Sequence, residues 1–132
     1  MALRLRLLAG LSLFLLSASC AHAPLPEEMA GRTAKAYYDQ LFQGRYDEFV
    51  DGRYFPDSIP RDYRQQLIDN ARMFVDEQLK SHQGIRKLRM ATVTIDTARH
   101  TANVFLNFAY GDGTNEQVLV PMVEHGGVWY RR

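Results

Sequence analysis

At Gly84 the apolar residues change their spacing, and that change limits the folds open to this chain more than any other feature. Before it, apolar positions recur every three or four residues, the period of a helix with one buried face. After it they alternate, the period of a strand with one buried face. Glu28 to Gln43 carries Ala30, Ala34, Tyr37, Tyr38 and Leu41 at helical spacing and stops at Gly44. Tyr46 to Tyr54 holds a short second helical piece, broken by Gly52 and Pro56. Asp57-Ser58-Ile59-Pro60 reads as a helix entry with Pro60 in the first turn. A long helix then runs to about His82. Its apolar stripe is Leu67, Ala71, Phe74, Val75 and Leu79, and Gln83-Gly84-Ile85 reads as its exit, with Gly84 left-handed.

The second half predicts four strands. The first is Arg86 to Asp96, with Ala91, Val93 and Ile95 on one face. The second is Thr101 to Tyr110, with Ala102, Val104, Leu106, Phe108 and Tyr110 on one face. The third is Glu116 to Glu124, with Val118, Val120 and Met122 inward, and the fourth is Val128 to Arg131, with Trp129 on the same face. Pairing Tyr110 with Glu116 across Gly111-Asp112-Gly113-Thr114 sets Phe108 against Val118, Leu106 against Val120 and Val104 against Met122. Pro121 cannot donate to a ladder, so an edge or a bulge is expected there. Helices followed by an antiparallel meander make an α+β domain, with the helices on one face of a four-stranded sheet. The other face, with Asn103, Phe105, Asn107, Ala109, Gln117, Leu119 and Val123, is mixed in polarity. Its apolar residues suggest a face partly covered by a partner, beside the plainer reading as ordinary exposed apolar surface.

The first residues carry an address. Arg4 and Arg6 precede an apolar run from Leu7 to Leu16, followed by Ser17, Ala18 and Ser19. That run is too short to span a bilayer core, and 1–19 reads as a cleaved signal peptide. Removing Arg4 and Arg6 from the 16 basic residues leaves one fewer than the 15 acidic ones, a balance that excludes a globally basic nucleic-acid binder. The segment Leu16-Ser17-Ala18-Ser19-Cys20 resembles the lipobox of bacterial lipoproteins, with Ser17 where Leu is usual. The resemblance implies an acylated Cys20 and a membrane anchor. The chains then hold the protein at a bilayer through about 0.8 kcal/mol per buried CH₂. Ala21 after the Cys implies the outer membrane, facing the periplasm, by analogy with lipoprotein sorting. The competing reading is cleavage after Ala21-His22-Ala23, giving a soluble periplasmic or secreted protein. Residues 20–27, with Pro24 and Pro26, read as a tether, and 28–132 as the folded domain.

Several segments together resemble the nuclear transport factor 2-like superfamily, in particular its small bacterial lipoprotein domains of unknown function. They are Ala34 to Phe49, the Gln83-Gly84-Ile85 exit, Thr101-Ala102-Asn103-Val104, Tyr110-Gly111-Asp112-Gly113 and Gly126-Gly127-Val128-Trp129. The resemblance implies a cone-shaped α+β fold, a pocket where the curved sheet meets the helices, and dimers through the outer sheet face, where Phe105, Leu119 and Val123 are the candidates for the dimer contact. Catalytic relatives use a pocket carboxylate with a Tyr or His.

Tyr37, Tyr38 and Trp129 are pocket candidates, although such residues also serve as core with a polar edge. Asp57 is the candidate acid or base, with Tyr54 beside it, and its plainer role is a loop turn or helix entry. His82, His100 and His125 fall at a helix end and in two turns, without zinc-site spacing, so no metal is expected. Gly111-x-Gly113 lies between strands, so it is not a phosphate loop, and no cofactor is expected. Cys20, the single cysteine, leaves neither a disulfide nor a thiol nucleophile in the domain. Arg86-Lys87-Leu88-Arg89 is the one basic cluster, a solvated strand start or a contact for anionic lipid. The expected function is a noncatalytic, membrane-anchored envelope lipoprotein binding a small ligand or an envelope protein. The alternative is a small isomerase, dehydratase or hydrolase using Asp57 and a Tyr.

Overall fold

A computed structural model of the chain describes residues 23–132. The segment 1–19 read as a signal peptide, and Cys20, lie outside these residues. The order is α1 (Pro26–Phe42), α2 (Tyr46–Asp51), α3 (Arg61–His82), β1 (Ile85–Asp96), β2 (Thr101–Tyr110), β3 (Asn115–His125) and β4 (Val128–Arg131). The strands form one antiparallel sheet in the order β1-β2-β3-β4, the α+β meander expected from the period change.

Helix α1 starts at Pro26, inside the segment read as a tether. Pro26 suits the first helical position because its missing N–H would be unpaired there anyway, and Glu27 and Glu28 face the positive end of the helix. Ala30 and Ala34 bury one stripe against the sheet, and Leu41, further along, is buried on the side of α2 and α3. Gly31 allows close approach, since a Cβ there would fall 2.0 Å from Met90 Sδ. The core is the inner face of β2 and its neighbours. Ala102, Val104, Leu106, Phe108 and Tyr110 are all buried, joined by Val120, Met122 and Trp129.

Two details of the sheet and one of the α3 exit differ from the pattern expected. The β2–β3 ladder pairs Phe108 with Glu116, Leu106 with Val118 and Val104 with Val120, a slip of two residues from the expected register. The faces survive because a slip of two preserves the alternation. Its cause is a tighter turn: the Gly113 N–H bonds Tyr110 O at 3.1 Å, the Tyr110 N–H bonds Thr114 O at 2.9 Å, and Gly113 takes φ +86°. Three residues close the hairpin, a type I turn followed by a left-handed glycine.

Secondly, Ala91 is exposed rather than inward, because the β1–β2 register shifts between Met90 and Thr92. Leu88, Val93 and Ile95 face the core on either side of that bulge. Thirdly, the left-handed residue at the end of α3 is already Gln83, at φ 61°, and Gly84 continues left-handed. The Gly84 N–H returns to Gln78 O at 3.2 Å, and Ile85 packs on the core. Helix α3 itself is less buried than its stripe implied. Ala71 is buried, Leu67 and Val75 are half-buried, while Phe74 and Leu79 are exposed.

Pro121 lies neither on an edge strand nor at a bulge: β3 is interior, its register with β2 runs unbroken through Asn103 and Pro121, and the proline sits where β4 ends. Its carbonyl accepts the Arg132 N–H at 2.9 Å, so its ring nitrogen faces the side where β4 runs out. Beyond β4, Gly52 to Tyr54 adds a short parallel bridge, with the Arg131 N–H on Gly52 O at 2.8 Å and the Tyr54 N–H on Arg131 O at 2.7 Å. Gly52 fits beneath Tyr37, where a Cβ would lie 2.4 Å from Cε1 of the ring.

Candidate ligand-binding cavity

The bridge between Arg53 and Arg131 draws the chain after α2 against β4 and leaves a cavity of about 270 Å³ between the helices and that end of the sheet. Helix α1 contributes Tyr38 and Leu41, α2 Phe49 and Val50, and α3 Leu67, Asn70, Ala71 and Phe74. Arg53 and Arg131 supply two cations to this mostly apolar lining. Arg131 faces inward for a simple reason: it stands two residues after the core residue Trp129, so strand alternation returns its side chain to the same face.

The Arg131 guanidinium lies 3.5 Å from the Phe49 ring centroid and donates from Nη2 to Phe49 O. Its Nε is buried and has no hydrogen-bond partner. Among the described residues it has no ion pair with any carboxylate. Burial pushes this guanidinium down to about 10, so it still carries its charge at neutral pH. Burial also raises the Tyr38 hydroxyl, with the opposing pull of Arg131 smaller. Tyr38 is fixed edge-on to Phe49, ring centroids 5.3 Å apart, and tilted against Phe108 at 5.6 Å. The acid nearest in sequence to Arg53 is Asp51, which is held by Arg64 through two bonds of 3.0 and 2.9 Å.

Of the other residues singled out in the sequence, Tyr37 donates its hydroxyl to Trp129 O at 2.7 Å and braces α1 against β4. Trp129 is buried and borders a separate hollow of about 220 Å³ with Pro26, Ile95, His100 and Glu124. Tyr54 lies by Tyr130 and His125, at centroid distances of 5.9 and 5.3 Å. With Asp57 these three border an open groove of about 340 Å³. Asp57 is exposed there and does not share the cavity of Tyr38. Phe105 and Leu119 pair directly across β2 and β3, and Val123 pairs with Thr101 and Tyr130. Leu119 is exposed, and Phe105 and Val123 are half-buried.

A polar cluster closes the other end of the sheet. The His82 ring stacks on Tyr110 at 4.2 Å, and its Nδ1 lies 3.0 Å from Asp112 Oδ2. Tyr110 donates to Glu116 at 2.5 Å. Asp112 is held down to about 2, first by the Thr114 hydroxyl and backbone N–H and then by His82. Burial and the Glu116 hydrogen bond raise the Tyr110 hydroxyl strongly. The cluster ties the exit of α3 to the β2–β3 hairpin. Among the described residues no group of three His, Cys, Asp or Glu side chains could hold a metal ion.

Arg131, Arg53 and Asn70 were not singled out by sequence reasoning. A charged residue next to a chain end reads as solvated, and only its spacing of two from Trp129 signals otherwise.

No family model matches the chain, and no curated protein matches it. Among solved structures it is similar to a Campylobacter jejuni protein with a proposed NTF2-like transpeptidase assignment. The TM-score is 0.63 at 10% identity, over 76% of this chain and 94% of that one. A SEC-C motif containing protein from Rhodopseudomonas palustris aligns with a TM-score of 0.45 and 13% identity, over 84% of this chain and 91% of that one. The fold is therefore the NTF2-like α+β fold.

Proposed function

We propose that this is a noncatalytic binding domain of the cell envelope, held at a membrane by an acylated Cys20, with the cavity under Arg131 as its ligand site. The observation that carries the reading is that cavity: a mostly apolar lining that contains a half-buried guanidinium with no carboxylate partner among the described residues and a buried Nε without an acceptor. Small-molecule sites combine apolar walls with a few convergent polar groups in this way. The leader, with Arg4, the Leu-rich run and Cys20, supports the anchor. The exposed Asp57 gives no support to the alternative of a dry acid–base site, and a shared fold at 10% identity does not carry an activity across.

With the tether leaving at Pro26, the Ile95–His100 end of the domain faces the bilayer. The basic run Arg86 to Arg89 then stands toward the far end of β1, roughly 20–30 Å away at about 3.3 Å per residue. That placement favours its reading as a solvated strand start over a contact with anionic lipid.

The test is mass spectrometry of the protein purified from its own envelope, intact and under native conditions. The expected result is a mature chain starting at an acylated Cys20 with a small molecule retained, and loss of that molecule in Ala71→Trp, which fills the cavity. A chain beginning at Pro24 would remove the anchor. Retention of the molecule by Ala71→Trp would move the site elsewhere.

A further inference from the structure

We infer that the cavity takes a single-chain anionic amphiphile, its carboxylate on Arg131 and its alkyl chain along Leu67, Ala71 and Phe74. The inference rests on the cavity being the ligand site and adds the class of ligand. Arg131 is half-buried, and even a charge drawn partly out of water ordinarily has a partner, because desolvation is costly and an unpaired buried N–H adds to that cost. Arg131 has a backbone carbonyl and an aromatic face, yet its Nε remains without an acceptor. Arg53, exposed at the rim of the same cavity with its guanidinium 5.3 Å from the Phe55 ring centroid, has no ion pair among the described residues, and Asp51 is already committed to Arg64. Two cations with no acid leave a positive potential at one end of the cavity. A carboxylate satisfies both the field and the orphaned N–H, in a geometry for which guanidinium is suited. A neutral ligand would leave the charge uncompensated, and a cation would be repelled.

The rest of the lining fixes the tail. Leu41, Val50, Leu67, Ala71 and Phe74 offer no polar side-chain atom, and Phe74 is 40% exposed, so the apolar surface continues from the cavity to solvent beside it. At about 270 Å³ the space lies at the small end for ligand sites, suited to one alkyl chain rather than a two-chain lipid.

The experiment titrates the purified mature protein with decanoate and with decanol below their micelle and solubility limits. It follows the Arg131 Nε–H signal by ¹⁵N NMR and measures affinity by calorimetry. Decanoate is expected to bind at least about tenfold tighter than decanol, to shift the Nε–H and to slow its exchange. Arg131→Met should remove the preference while decanol still binds, and Ala71→Phe should block both. Should Arg131→Met fail to fold, Arg53→Gln, expected to weaken decanoate alone, replaces it beside the Nε–H readout. Equal affinity for the two probes would overturn the anionic assignment and leave the cavity as an apolar ligand site. Binding of neither, with an unmoved Nε–H, would overturn the cavity reading as well.

Discussion

The inner face of β2 and the inner face of α3 are both apolar stripes in the sequence, yet they meet different fates. Along β2, Ala102, Val104, Leu106, Phe108 and Tyr110 are all buried. Along α3 only Ala71 is buried, and Phe74, Met73 and Leu79 are exposed at 40%, 65% and 62%. The strand is central, clamped by β1 and β3 at its sides and by α1 on its face. The helix packs on short α2 and the end of α1, and those elements are too small to cover it. The lesson is that one apolar pattern can specify either closure or a cavity wall, depending on how much neighbouring surface the topology supplies.

Substitutions can break or sharpen that contrast. The largest effect is expected at the sealed face: Leu106→Ala should cost about 3–5 kcal/mol in denaturant unfolding, from lost transfer energy and a cavity that cannot collapse. A loss below about 1 kcal/mol would mean that the sheet core is not the rigid partner. Gly52→Ala comes next, at about 1–3 kcal/mol, because its Cβ would press into the Tyr37 ring. Removing only the Tyr37 hydroxyl, as Tyr37→Phe, should cost about 1 kcal/mol by leaving Trp129 O without that donor. Phe74→Ala, on the open side, should cost less than Leu106→Ala by at least about 2 kcal/mol while weakening ligand binding, measured on the same protein by unfolding and calorimetry.

The smallest effect is set by pH. Asp112 is depressed in the folded protein to about 2, so its contribution is complete above its unfolded value near 3.8 and is lost as pH falls toward 2. Acid titration of the hairpin amides by NMR should show this loosening in the parent and less of it in Asp112→Asn. A parent hairpin indifferent to pH between 4 and 2 would show that the Thr114 and His82 contacts do not hold Asp112.

Much of the fold could be read from the residues because local signals agreed. Gly126 and Gly127 both take positive φ, as a two-residue hairpin turn requires, and Trp129 follows inward from them. Alternation from Thr101 to Tyr110 fixed the faces even where the β2–β3 register slipped by two. The β1 bulge at Ala91 had no such mark: neither Gly nor Pro stands there, and only the pairing with β2 creates it. Nor did the cavity announce itself. Its walls come from three helices and a strand end, its cations flank a bridge between Arg53 and Arg131 that no local pattern encodes, and Tyr38 was the one member singled out. Tyr37 and Trp129, equally aromatic, were drawn into bracing and core by a hydrogen bond between them.

Thermal unfolding of Arg131→Met without added ligand, set beside its decanoate affinity, tests the central claim most directly. A cation kept for a ligand is a burden to the empty protein, so the substitution should leave the melting temperature unchanged or raise it while decanoate falls to the affinity of decanol. A melting temperature lower by about 8 °C or more, roughly the shift of a 1–2 kcal/mol loss in a domain this size, would identify Arg131 as a strut between Phe49 and β4 and contradict the account.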